Sequence, residues 1–531
     1  RASELDPSLQ PAFLNAGAIL EDWQRFDEAL PWQETAVRLN PKCPNARYNL
    51  GNCRMKMGDA AGAIGDYDEA IRLDPDYTRS YWNRANANLL LGDFAAGFAD
   101  FDYRYKCGEV EIDRYPQPRW RGEPLAGKSI VLHAEQGIGD EILFASCFTE
   151  VIEQADRAAI VCEPRLAPLF QRSFPAARVF GISRRRDFTP PELPETFDYQ
   201  LPFGGLPSLL RRREEDFPRR TSFLQVDAAQ RRQWSERFAK LGDGLKIGIS
   251  WRTGGKPADR RKRTTQLAQW RSLFELPGVD WINLQYGDVE DDLLQASEQL
   301  GVTIHDYPAA DPLIDMDGFA AQVAALDLVI SVGNATVHLA GALGVEAWCL
   351  LPQVPSWRWM LQGARSPWYQ SVSLFRQPRR GDWQPVFAQV HEQLCRRLNM
   401  STEQTNEMNT SPVAVEQAAS MEFDPGDDLV YAGEIPKLLA RGISYHQSGK
   451  YSLAEETYRK ILEHAPRHID ALQLLGTLAS QTGRAALAIR SIRRALSVNN
   501  HNPMLHYNLA NTLASQGQLD EAIRHYETAL A

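Results

Sequence analysis

The stretch LDLVISVGNATVHLAGALGVEAWCLL, residues 326–351, decides the fold. It is the most apolar run of the chain, yet Asn334 and His338 interrupt it, which argues against a membrane span. It reads as a strand at 328–332, a turn at Gly333-Asn-Ala-Thr336, a helix starting near Val337, and a second strand at 346–351. Ala340, Gly341, Ala342 and Gly344 suit close packing of that helix on a sheet. Such a unit belongs to a parallel α/β layer with crossover helices.

On either side the alternation continues. Strands are expected at 246–251 and 280–284, and upstream at 129–133 and 158–162. A glycine turn, Glu135-Gln-Gly-Ile-Gly-Asp140, follows the first of these and opens a helix from Glu141; another helix starts at Leu166. Two Rossmann-like lobes result, 129–240 and 245–397, behind a turn-rich connector at 107–128 that includes RWRGEPLAGK. The Arg- and Pro-rich segment 184–220 supports no assignment. Ligands of such sheets sit at the carboxyl ends of the strands, so facing lobes form a cleft with loops from each side.

The ends of the chain obey another rule. Pro7, Pro41 and Pro75 are 34 residues apart. Small residues recur at the same period where paired helices must touch: Gly17, Gly51 and Ala85, then Ala29, Ala63 and Gly97. The ladder returns as Gly442, Gly476 and Ala510, with Ala454, Ala488 and Ala522. Residues 1–106 and 433–531 therefore resemble tetratricopeptide repeats, helix pairs that stack into a superhelix. Residues 398–432 are polar, with the composition of a disordered linker or a native N-terminus. Joining Ala531 to Arg1 continues a helix towards Pro7, so the expected natural order is 400–531 followed by 1–399; two separate repeat blocks are the alternative.

Bulk properties exclude several classes. The chain has 531 residues, 44% hydrophobic and 24% charged, with a net charge of -10, which argues against general nucleic-acid binding. Seven cysteines are scattered without a CxxC pair, favouring free thiols over a disulfide framework or a metal site. No signal peptide or membrane span is evident, and a cytoplasmic location is the default expectation.

Three loops carry candidate chemistry. Gly137 and Gly139 would let a backbone approach a ligand, and Asp140 either takes a proton from an attacking hydroxyl or simply caps its helix. Arg252, Lys256, Arg260, Arg261, Lys262 and Arg263, with Gly254 and Gly255 among them, suit a diphosphate or form a solvated basic loop. Asn334, Ala335 and Thr336 open a helix whose N–H groups and dipole favour an anion, with His338 adding a hydrogen bond or staying structural. In the repeats, Asn15, Asn49, Asn83 and Asn508 share one slot, with Asn52, Asn86 and Asn511 as a second row. A row of amides can hold an extended backbone without reading side chains, although asparagine is common at that slot.

EQGIGDEILFA at 135–145, SVGNATVHLAGALG at 331–344, PSWRWML at 355–361, and SPWYQSVSLFRQ with GDW at 366–383 resemble bacterial tetratricopeptide-repeat glycosyltransferases, whose catalytic region is similar to heptosyltransferases. The resemblance covers roughly 119–397. It implies a GT-B module of two Rossmann-like lobes and inverting, metal-independent transfer from a nucleotide sugar, with no further cofactor. It places the base at Asp140, the donor against Arg252, Lys256 and the Asn334–Ala335–Thr336 turn near His338, and Gln285 and Tyr286 beside the nucleotide. The related motif has Asp where this chain has Gly333, a departure that puts the donor's identity in question. The expected partners are a nucleotide sugar and an acceptor protein, such as a flagellin or another surface protein, modified at Ser or Thr. A lipid-linked or surface glycan acceptor is one alternative, and a non-catalytic scaffold is the other.

Overall fold

A computed structural model describes residues 10–110, 115–183, 190–254, 262–287, 289–399, 435–448, 450–465, 468–482, 484–500, 502–515 and 519–530. The chain divides into two compact units, 1–411 and 412–531.

The first unit begins with three helix pairs, Gln10–Asp22 with Phe26–Leu39, Pro44–Met57 with Ala60–Leu73, and Thr78–Leu91 with Phe94–Asp100. Asp59 and Asp93 cap the second helices of the latter two pairs, accepting from Gly62 N and Ala96 N at 2.9 and 3.0 Å. Gly51 shows why the small slot matters. A Cβ there would lie 2.7 Å from the Tyr67 ring, so any larger residue would push the paired helices apart.

Two parallel sheets follow. The first has strands β1 (Ser129–His133), β2 (Arg157–Cys162), β3 (Ala177–Gly181) and β4 (Tyr199–Pro202), in the order β3-β2-β1-β4. The second has β5 (Leu245–Ser250), β6 (Val279–Asn283), β7 (Ile304–His305), β8 (Leu328–Val332), β9 (Ala347–Leu351) and β10 (Val372–Arg376), in the order β10-β9-β8-β5-β6-β7. The direction of winding reverses between β5 and β8, and the cleft loops leave the carboxyl ends of these two strands. In the unassigned segment, 184–189 lie outside the described residues, and β4 and the helix Leu206–Leu210 follow. β3, β7 and β10 gave no clear alternation, because each is short and partly exposed.

The third repeat packs directly on the lobes. Phe98 and Phe101 meet Trp357 with ring centroids 6.1 and 5.5 Å apart, and Phe94 meets Phe217 at 4.8 Å. One apolar core thus runs from the repeats through both lobes. The connector adds to it, pairing Arg119 with Gln200 of β4 and burying Trp120.

Among the described residues, the second unit has three further helix pairs, from Ile435–Gln447 to Leu519–Leu530. Gly442 and Gly476 face Tyr458 and Ile492 as Gly51 faces Tyr67. Residues 400–434, most of the expected linker, lie outside the described residues. Among the described residues, no helix is long and apolar enough to cross a membrane.

Candidate active site

The helix Ile138–Phe144 starts three residues before the expected Glu141, because the Gly137 carbonyl closes the first turn, accepting from Asp140 N and Glu141 N. Gly137 is therefore the cap residue, and Asp140 stands inside the first turn. The simple capping role for Asp140 is overturned. Its carboxylate faces Arg358, from the loop after β9, whose Nε donates to Asp140 Oδ1 at 2.5 Å. The second guanidinium nitrogen lies 2.5 Å from that same oxygen. Oδ2 has no protein partner among the described residues. Burial raises the Asp140 carboxyl above the ordinary aspartate range, against the opposing charge of Arg358.

Across the cleft, the helix Ala335–Leu343 starts two residues before the expected Val337, because Asn334 caps it. Asn334 Oδ1 accepts from Thr336 N and Ser331 Oγ at 3.0 Å each. Its Nδ2 donates to Ser250 Oγ at 2.7 Å and to the Arg252 carbonyl at 2.9 Å. The amide thus ties the ends of β5 and β8 together. The N–H of Thr336 is not free for an anion, since the cap has taken it. Thr336 itself is buried.

His338 is buried, with Nδ1 3.0 Å from Tyr369 Oη and its ring stacked 4.8 Å from Trp359. Burial pushes its pKa down to about 3, helped by Arg358, so the imidazole is neutral. The lobes touch beside it. A Cβ on Gly139 would sit 3.4 Å from His338 Cδ2 and 3.6 Å from Ala335 Cα, whereas Gly137 borders open space. At Gly333, a Cβ would lie 3.0 Å from Trp359 Nε1.

At the carboxyl end of β5, Arg252 pairs with Asp292 at 3.1 Å, and Asp292 also accepts from Trp251 Nε1 at 2.9 Å. Gln285 Oε1 accepts from Arg252 N at 2.7 Å, and Tyr286 Oη accepts from Gly254 N at 3.1 Å. Gln285 and Tyr286 therefore shape the loop after β5. Trp251, Arg252, Thr264, Thr265, Asp292 and Gln295 line a cavity of about 350 Å³ there. Lys256, Arg260 and Arg261 lie outside the described residues.

The repeats border Gln136 and Arg358. Asn52, Tyr67, Asn83, Asn86, Gln136 and Arg358 line one cavity of about 340 Å³. Asn52 Oδ1 accepts from Tyr67 Oη at 2.9 Å and from Asn83 Nδ2 at 2.7 Å, so the two asparagine rows are cross-linked. Asn15, Asn49 and Asn83 stand on successive first helices. Asn508 belongs to the second unit, where Asn511 accepts from Tyr526 at 2.7 Å in the manner of Asn52.

Three anchors fix these groups. Arg104, fully buried beyond the third repeat, donates to both oxygens of buried Glu135 at 3.0 Å, just ahead of the glycine turn. Leu361 N donates to the Leu90 carbonyl at 2.7 Å, holding the Arg358 loop on the repeats. Arg376 donates to the carbonyls of Trp359, Met360, Gln362 and Gly363 within that loop, where Met360 holds a φ of +53°. Arg358, Glu135, Trp359 and Arg104 were not singled out from sequence. The first three lie within the quoted motifs, and an arginine between two tryptophans was the available signal.

Family models of the tetratricopeptide repeat match residues 10–43, 44–77, 439–497 and 503–531, so the helix pairs within those ranges are tetratricopeptide repeats. The chain is 37% identical over 285 residues to Protein FlbA of Caulobacter vibrioides, covering 52% of this chain and 48% of that protein. It thus spans about half the length of the curated relative it matches. Among solved structures, a glycosyl transferase family 9 protein from Veillonella parvula aligns with 54% of this chain and 99% of its own, at 13% identity and a TM-score of 0.37. The E. coli ADP-heptose lps heptosyltransferase II aligns with 53% and 100%, at 12% identity and a TM-score of 0.35. At these scores neither likeness carries the fold, which rests on the strand order of the two lobes.

Proposed function

We propose that the protein is a glycosyltransferase that moves a sugar from a nucleotide sugar to a Ser or Thr hydroxyl of a polypeptide held by the repeats. The observation that carries this reading is the cavity in which the asparagine rows and Arg358, the partner of Asp140, share one wall. A backbone lying along the amides would bring a hydroxyl to the uncommitted Oδ2 of Asp140. That oxygen takes the proton, the hydroxyl oxygen attacks the anomeric carbon from the opposite face, and the bond to the donor phosphate breaks with inversion. Positive charge and oriented N–H groups near Arg252 and Ala335 stabilise the departing phosphate. A flagellin or another surface protein is the proposed acceptor class.

Gly333 with Trp359 above it favours a second reading, a scaffold that binds nucleotide without transfer. A thermal-shift panel of ADP, UDP, GDP and CMP with wild type and Arg252→Ala tests the donor side. A ligand at about a hundred times its dissociation constant adds roughly 2.7 kcal/mol. Stabilisation by one nucleotide, lost in the variant, is expected. No response to any of them would remove the transferase reading.

A further inference from the structure

An arginine and a carboxylate left to themselves meet as two forks, one N–H to each oxygen. Arg358 and Asp140 do not. Arg358 Nε and Nη2 both lie 2.5 Å from Oδ1, and among the described residues Oδ2 has no protein partner. The other contacts of the guanidinium account for the offset. Its Nη1 donates to Ser356 Oγ at 2.8 Å, and its Nη2 donates to Gln136 Oε1 at 3.3 Å. The Trp357 ring, 4.7 Å away, covers its face.

Gln136 is the tether from the first lobe. Its Nε2 donates to Glu135 Oε1 at 3.1 Å, which turns the amide oxygen towards Arg358. A flipped amide would set its oxygen against the Glu135 carboxylate and its N–H groups against the guanidinium, so only one orientation serves both neighbours. Glu135 in turn has little room to shift. Arg104 Nη2 donates to both its oxygens at 3.0 Å, and Tyr105 Oη meets Oε2. A Cβ on Gly204 would lie 1.9 Å from Oε1. The place of the Gln136 oxygen is therefore inherited from a buried ion pair beyond the third repeat.

The other charged or titratable groups around the Arg358–Asp140 pair are Glu135, Arg104, Tyr369 and His338. None of them bonds the Asp140 carboxylate among the described residues, so the pose of Arg358 decides whether Oδ2 is covered.

We infer that Gln136 is a positioning residue which, with Ser356, holds Arg358 off Oδ2 of Asp140 and so keeps that oxygen available for the acceptor's proton. Without the tether the guanidinium turns into the fork and covers both oxygens, and the base is lost although both charges remain. The inference rests on the proposed function in that Asp140 is the base, but the geometry it claims is read without substrate.

The test scans the ligand-free full chain thermally from about pH 4 to about pH 8, comparing the Tm of each protein with that of its Asp140→Asn counterpart. Burial raises the Asp140 pKa, so its protonated form adds stability that fades as pH rises and levels off once the folded carboxyl is ionised. Gln136→Met should lower the level-off by about one pH unit, because a forked guanidinium favours the carboxylate. Ser356→Ala should move it the same way by less. Gln136→Glu keeps an acceptor on Nη2 and adds a negative charge, so it should raise the level-off. In the Arg358→Ala background, Gln136→Met should move nothing. A level-off that Gln136→Met leaves in place or raises overturns the inference, as does an equal shift in the absence of Arg358. Transfer by Asp140→Ala at the wild-type rate would instead sink the base, and with it the role given to Oδ2, while leaving these shifts as they are.

Discussion

Arg358 bridges the cleft to Asp140, and both of its close contacts fall on one carboxylate oxygen, Oδ1. The guanidinium holds the carboxylate's position through Oδ1 and itself borders the amide-lined cavity. Arg358 comes from the second lobe and Asp140 from the first, so the pair exists only when the lobes are closed on each other.

This pairing sets a pH dependence. Burial raises the Asp140 pKa and Arg358 lowers it. With Asp140 as the proposed base, acting when ionised, the acid limb of transfer should lie above the ordinary aspartate range. Arg358→Ala removes the lowering influence and should move that limb to higher pH, with Arg358→Lys intermediate. His338, pushed down to about 3, should contribute no limb near neutrality. The pH profile of kcat for the three proteins checks this.

Arg104 and Glu135 form a fully buried pair between the repeats and the glycine turn. Arg104→Met strands the carboxylate and should cost about 3–5 kcal/mol. Adding Glu135→Gln should recover part of the loss. Chemical denaturation of the single and double variants measures the coupling.

A Cβ at Gly333 would lie 3.0 Å from Trp359 Nε1, a tight contact. Gly333→Asp should destabilise the chain by roughly 1–3 kcal/mol, as overpacked sites do. Trp359→Ala should relieve the clash in the double variant. A change of nucleotide-sugar preference in that double variant, read by competition binding, would show that the indole sets donor choice.

Glu21 is an acid held where its charge is costly. Burial raises its pKa from 4.5 to about 7, although Gln33 and Lys56 pull it down. The folded state therefore holds a proton that the unfolded chain releases, and this stabilisation by protonation fades as pH rises from 4.5 towards 7. Glu21→Gln should raise Tm above pH 7, and the gain should vanish below about pH 5. Thermal scans across that range decide it.

The sequence carried the periodic parts. Gly51 and Tyr67 announce the repeat because helix packing forces a small residue opposite a large one every 34 residues. β1 and β8, buried from end to end, stood out as apolar runs at their observed bounds. β7 has only two residues, half exposed, and no local pattern could reveal it. The site divided in the same way. Asp140 and Asn334 were visible because strand–turn–helix junctions mark strand ends. Arg358 was not, because its meaning depends on a partner 218 positions away. Asn334 likewise looked like a ligand, whereas its amide is consumed by the neighbouring strand ends.

The most direct test of polypeptide glycosylation is incorporation of a labelled sugar into protein from a panel of nucleotide sugars, comparing wild type with Asp140→Ala. The expected result is labelled protein at Ser or Thr with wild type and none with the variant, while both bind nucleotide equally well. Transfer by Asp140→Ala at the wild-type rate, or donor consumption by wild type that never labels protein, would contradict the account.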